Sequence, residues 1–194
     1  MNRGFTLIET LVAVLLLATA IAGPLTIASR GLTTALIAKD QVTAFYLAQD
    51  AVEYVRFVRD SNRLSSQAWL AGLDGSADGG IVTPDGGANC TGTFGCYFDS
   101  TRNNSINAST NIGSCTDSTC TAAILFYNVS TAQFTYDSSQ TKTIYKRIIT
   151  LAAPTTCGSS PCDEQVLTVV VSWSDTAGIT RNVTVHENIY NWQP

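Results

Sequence analysis

One carboxylate stands where carboxylates are costly. Glu9 heads a run with no further charge until Arg30, and Thr10 to Ser29 reads TLVAVLLLATAIAGPLTIAS. An acid in such a stretch costs roughly 3 kcal/mol in lipid, so it marks a functional group unless it only caps a helix N-terminus. Asp74, Ser76 and Asp78 place oxygen donors at alternate positions, followed by Gly79, with Asp85 at the end of the same frame. That is the spacing of a Ca²⁺ loop, in which alternate side chains converge on a hard cation. Asp rather than Glu at the last position, in a Gly-rich stretch, makes a plain acidic turn the favoured reading and leaves Ca²⁺ as the one candidate cofactor. Six cysteines, Cys90, Cys96, Cys115, Cys120, Cys157 and Cys162, fall into three close pairs. No C-x-x-C occurs and the single histidine is His186, which disfavours zinc. No nucleophile or phosphate-cradling motif stands in a strand–turn–helix setting, so no catalytic residue is assigned.

These groups need elements to position them. Twenty residues at 1.5 Å each span about 30 Å, the thickness of a hydrocarbon core. Arg3 precedes the span and no basic cluster follows it at once, which favours a cytoplasmic N-terminus and an extracytoplasmic body. A cleavable signal peptide is the competing reading. Ala18-Thr19-Ala20 and Ala20-Ile21-Ala22 both have cleavage-site character, but the apolar run is long for that role and contains Glu9. Beyond the span, Leu32, Ala35, Ala38, Val42, Phe45, Ala48, Val52 and Val55 step by three or four, predicting one helix from about residue 5 to 62. Its first half, 5–30, is apolar all round, and its second half, 31–62, is amphipathic. Arg56 and Asp60 share an outer face at i, i+4. Gly23-Pro24 interrupts the membrane half, where a kink or weak point is expected.

Residues 63–121 hold most of the glycines among Ser, Thr and Asn, and read as a loop-rich, Cys-containing insertion with room for short strands. Runs at 123–129, 134–136, 143–151, 166–173 and 179–189 predict an antiparallel sheet over 122–194, its last two strands joined by Ser174-Asp-Thr-Ala-Gly178. Leu167, Val169, Val171 and Trp173 share one face of that hairpin with Val183, Val185 and Ile189. Asn182, Thr184, His186 and Asn188 take the other. The fold class is therefore α+β: a long N-terminal helix, membrane half plus amphipathic half, packed on a C-terminal antiparallel sheet. The 194 residues are 45% hydrophobic but only 13% charged, with a net charge of -4. A nucleic-acid partner is not expected from such a chain, because neutralising phosphates needs clustered Lys and Arg. An extracytoplasmic body favours disulfides. Six cysteines allow fifteen connectivities, and pairing within each close pair is the expectation.

Gly4-Phe5-Thr6-Leu7-Ile8-Glu9, followed by some twenty apolar residues, resembles the N-terminus of the type IV pilin-like, or prepilin, family. Leu47, Ala48, Glu53, Arg56, Arg59 and Asp60 fit a helix pattern of prepilin-like proteins. The Val-Val-Val-Ser-Trp-Ser-Asp hairpin ending near Trp192 is similar to the last hairpin of minor pilins and pseudopilins. Both ends of the chain match and the middle fifty residues do not. The resemblance implies a pilin-like fold and a leader, residues 1–4, cut between Gly4 and Phe5 by a prepilin peptidase that then methylates the Phe5 amine. It also implies that Glu9 of one subunit meets that amine on another during assembly, and that the helix partly melts near Gly23 and Pro24. The implied function is a structural subunit of a type IV pilus or related filament, not an enzyme. Its partners would be other pilin-like subunits, the peptidase and, before assembly, the cytoplasmic membrane. Some pseudopilins bind Ca²⁺, which bears on the loop at Asp74. A pseudopilin of a type II secretion system, a secreted or anchored binding domain with an ordinary signal sequence, and a hydrolase using His186 are the alternatives.

Overall fold

β-Branched and aromatic residues alternate with polar ones over the C-terminal third, and there the chain builds its longest strands. The computed structural model describes residues 6–75, 89–101, 112–155, 157, 162–175 and 178–192. Helix α1 runs Leu7–Leu64, followed by β1 (Cys96–Phe98), β2 (Ile112–Ser114), a 3₁₀ turn (Thr121–Ala123), β3 (Ile124–Asn128), β4 (Gln133–Thr135), β5 (Thr141–Ala152), β6 (Glu164–Ser174) and β7 (Thr180–Tyr190).

All pairings are antiparallel. β5 is the central strand. One edge pairs with β6 from Lys146↔Ser172 to Ala152↔Val166. The other takes β3 along its first half and β1 at Cys96↔Ile149. β4 extends from β3, β2 from β1, and β7 pairs with β6 over its whole length. The expected alternation holds: Leu167, Val169, Val171, Trp173 and Ile189 are buried, while Asn182, Thr184, His186 and Asn188 are exposed.

The chain divides into two compact units, Met1–Val42 and Thr43–Pro194. In the second, α1 buries Ala44, Leu47, Ala48, Ala51, Val52, Val55 and Val58 in one core with Ile149, Leu151, Leu167, Val169, Val171 and Ile189. The three alanines allow close approach to the sheet. Here the predicted stripe needs correction. Ala48, Val52 and Val55 belong to it, but Leu32, Ala35, Ala38, Val42 and Phe45 are exposed. The buried face is centred on Leu47 and begins only where the second unit begins, because an apolar stripe is buried only where something covers it.

α1 ends in a Schellman motif. Ser66 takes φ 57°, its N–H donates to the Arg63 carbonyl, and the Gln67 N–H donates to the Asn62 carbonyl at 2.8 Å. The buried Asn62 amide then donates to the carbonyls of Trp69 (3.3 Å) and Ala71 (2.9 Å). This fixes the chain so that Trp69, Leu70 and Leu73 enter the core. Gly95, at φ 74°, lies where a Cβ would overlap the Ile149 carbonyl oxygen, so β1 can reach β5 only through a glycine.

Candidate membrane and assembly segment

Thr6 precedes α1 and caps it. Its carbonyl accepts from the N–H groups of Glu9 (3.1 Å) and Thr10 (3.2 Å), and its hydroxyl accepts from Glu9 N–H at 3.4 Å. Glu9 therefore lies in the first turn, where the helix dipole favours an anion. Gly4 and Phe5 lie outside the described residues. From Leu7 to Ile27 the large apolar side chains are exposed, Leu7 at 77% and Ile27 at 74%. An 18-residue window of α1 has mean hydropathy 2.3 and none of it is buried, so by length and composition this helix can cross a membrane. The hydroxyls within it are already satisfied. Thr10 donates to the Leu7 carbonyl, Thr19 to Leu15 and Leu16, Thr26 to Ala22, and Ser29 to Thr26. Such back-bonding lets polar side chains enter lipid cheaply. α1 continues through Gly23 and Pro24 without a break. Pro24 nonetheless lacks the N–H that would bond the carbonyl four residues earlier.

In the second unit the helix charges do more than face water. Arg56 bridges Glu53 at 2.8 Å and Glu187 of β7 at 2.6 Å, rather than pairing along the helix with Asp60. Asp60 instead accepts from Arg59 at 2.8 Å, and the Arg59 guanidinium lies 5.8 Å from the centroid of the Trp192 ring. β7 thus brings Glu187 to Arg56, while Asp60 pairs with its neighbour Arg59.

Sequence reasoning missed a buried charge at the junction of helix and sheet. Arg147, 2% exposed, donates from Nη1 to the Leu47 carbonyl (2.9 Å) and Asp50 Oδ2 (2.6 Å), and from Nη2 to the Phe98 carbonyl (3.0 Å). It lies between the rings of Phe98 and Tyr136. Helix, β1 and β5 thus meet at one guanidinium. The signal was available: Arg147 occupies an inward position of β5, between Tyr145 and Ile149. Asp99 beside it is also buried. Burial alone would raise its carboxyl, but hydrogen bonds from Thr101, the Thr135 hydroxyl (2.5 Å) and the Tyr136 N–H (2.9 Å) hold it below the usual carboxylate value. Burial, reinforced by Asp99, pushes Tyr54 up to about 12.

The three local cysteine pairs are disulfides: Cys90–Cys96, Cys115–Cys120 and Cys157–Cys162. The first is fully buried, and the Cys90 carbonyl accepts from Leu151 N–H at 2.8 Å, which ties the insertion to β5. Of the Ca²⁺ candidates only Asp74 is described, in an isolated bridge with Asn89. Ser76, Asp78 and Asp85 lie outside the described residues. His186 sits on the exposed face of β7 with Nδ1 2.9 Å from the Thr168 hydroxyl.

Residues 1–23 match the family model described as the prokaryotic N-terminal methylation motif. No curated protein and no solved structure matches the chain. That motif is diagnostic of type IV pilins and prepilins, and here it heads a membrane-length helix whose later turns pack on an open antiparallel sheet. The chain thus carries the N-terminal motif of that family on a pilin-like architecture, a long helix packed on an open antiparallel sheet.

Proposed function

We propose that this chain is a structural subunit of a type IV pilus or related filament. A prepilin peptidase cuts it between Gly4 and Phe5 on the cytoplasmic side and methylates the new amine. The subunit waits in the cytoplasmic membrane with its head outside, and then assembles through α1 with other pilin-like subunits. The observation that carries this reading is Glu9, a lone acid at the head of an exposed apolar helix and inside a methylation motif. Cleavage would leave an ammonium on Phe5, four residues from Glu9. Either charge alone is costly in lipid, whereas a pair formed with a neighbouring subunit offsets that cost and sets the axial register. The test is mass spectrometry of the mature N-terminus from native cells. An N-methylated Phe5 is expected. A terminus near Ile21 or Gly23 would establish an ordinary signal sequence and overturn the proposal.

A further inference from the structure

β7 is an edge strand, paired with β6 and with no other strand among the described residues. A row of unpaired N–H and C=O groups is a template for another strand, and natural sheets guard such edges with prolines, lysines or bulges. β7 has none of these. It is 11 residues long, runs against β6 in unbroken register and contains no proline or lysine. The core also stays open along it. The inward residues of β6, Gln165 to Trp173, are all buried, whereas Val183 and Val185, inward on β7, are only half-buried although they pack on the same core.

Two inward charges select what can cover this edge. A lone inward charge opposes pairing, but Arg181 and Glu187 have opposite signs and flank the two valines. When two β7 strands pair antiparallel about a two-fold axis at Thr184, Arg181 of each copy stands opposite Glu187 of the other, and Val183 opposite Val185. An axis at residue 183 or 185 sets Arg181 opposite Val185 or Ile189 and leaves both charges unmatched. Both charged groups have atoms to spare. Arg56 takes Glu187 through Oε1, and Asp175 takes Arg181 through Nε, which leaves Glu187 Oε2 and the Arg181 Nη atoms for the seam. On the outer face the same register sets His186 opposite Asn182. Thr168 occupies His186 Nδ1, so Nε2 is the atom presented to the Asn182 amide.

We propose that β7 is a docking edge for a second copy of this chain, which joins two heads into one continuous sheet through antiparallel β7 strands centred on Thr184. The axis is perpendicular to the sheet and reverses the α1 residues packed on it, so the two copies are not neighbours in one membrane or one filament. Under the proposed function they belong to two filaments lying side by side. The pairing itself does not depend on that reading.

The test is sedimentation equilibrium of the full chain in density-matched zwitterionic micelles. A dimer is expected. Arg181→Glu and Glu187→Arg should each weaken it on the order of a hundredfold, because the two-fold turns both attractive pairs into repulsive ones. An equimolar mixture of these two variants restores both pairs and should dimerise like wild type, which misfolded variants would not do. Thr184→Cys reads the register without touching the charges. All six native cysteines are in disulfides, so mild oxidation should link two copies through residue 184. Asn188→Cys, exposed but far from its own copy across the axis, should stay unlinked. A wild-type chain that remains monomeric, or a dimer that either charge variant leaves unchanged, would overturn the proposal. So would a dimer in which Asn188→Cys links as readily as Thr184→Cys.

Discussion

Arg147→Ala removes the one cation that helix, β1 and β5 share. The side chain is 2% exposed, whereas Asp50, its acidic partner, is 47% exposed. Removing one member of a buried pair costs about 3–5 kcal/mol when the other charge is stranded. Asp50 is not stranded, because it rehydrates and keeps its bond from the Ser100 hydroxyl at 2.8 Å. That pushes the cost down. Two effects push it up: the Leu47 and Phe98 carbonyls lose a charged donor, and a cavity opens between the Phe98 and Tyr136 rings. The balance is about 4 kcal/mol. Arg147→Met refills the volume without the donors and should cost about 2 kcal/mol. Asp50→Asn keeps an acceptor at a half-exposed site and should cost about 1 kcal/mol. Urea unfolding of the full chain in micelles, followed by tryptophan fluorescence, measures all three. The reasoning fails if Arg147→Ala costs under about 1 kcal/mol. It also fails if Asp50→Asn costs as much as Arg147→Ala, because the stabilisation would then lie in the ion pair and not in the desolvated fit around the guanidinium.

Asp99, held low in the fold, contributes stability that is fully present above the ordinary carboxylate value of roughly 3.9 and is lost as pH falls through its folded value. Asp99→Asn should flatten that acid limb in pH-dependent melting. Tyr54 has the opposite sign. At about 12 in the fold it stays protonated while the unfolded chain ionises near 10, so stability falls between those values, and Tyr54→Phe should remove its share of the alkaline loss. Each disulfide closes a short loop worth about 2 kcal/mol. Replacing Cys90 and Cys96 by Ala should cost more than that, since both are buried in the core, while the same change at the half-exposed Cys157 and Cys162 should cost less, as read from denaturation midpoints. Glu9→Ala should leave processing and head folding intact but deplete the subunit from sheared filaments relative to membranes. Unchanged incorporation would reduce Glu9 to the first-turn carboxylate seen at the start of α1.

Local pattern made the long elements legible. The helix and the three long strands follow from 3.6- and 2-residue periods, with ends shifted by one or two residues. The disulfides were legible as an expectation because the six cysteines fall into three close pairs, and the structure joins each pair. What stayed hidden depended on contacts between distant segments. Trp69, Leu70 and Leu73 follow a Gly/Ser-type loop signal, and only Asn62 folding back on their carbonyls places them inside. The charges of α1 read as a wet face until β7 brought Glu187 to Arg56. Arg147 could have been found, since inward register in a strand is a sequence property. Its partners, 97 and 49 residues away, could not.

Under the proposed function, the energetics of α1 would let a single acid direct assembly without preventing insertion. Between Leu7 and Ile27 eleven large apolar side chains are exposed. At about 1.5–3 kcal/mol for each side chain removed from water, their burial is worth on the order of 20 kcal/mol, more than the 5–15 kcal/mol that holds a typical domain folded. Residues 43–64 gain their stability from the head core, whereas residues 7–42 must gain it from lipid or from neighbouring helices. Against that sum, the roughly 3 kcal/mol cost of Glu9 in lipid is minor, so the subunit inserts with or without the acid. The cost becomes decisive only between states in which the apolar surface is equally buried. Moving from membrane to filament is such a step: the hydrophobic term nearly cancels, and the remaining difference is whether the carboxylate finds a cation. A few kcal/mol then shifts that equilibrium by two to three powers of ten at about 1.4 kcal/mol for each. This is why Glu9→Ala is expected to spare the membrane pool and empty the filament pool.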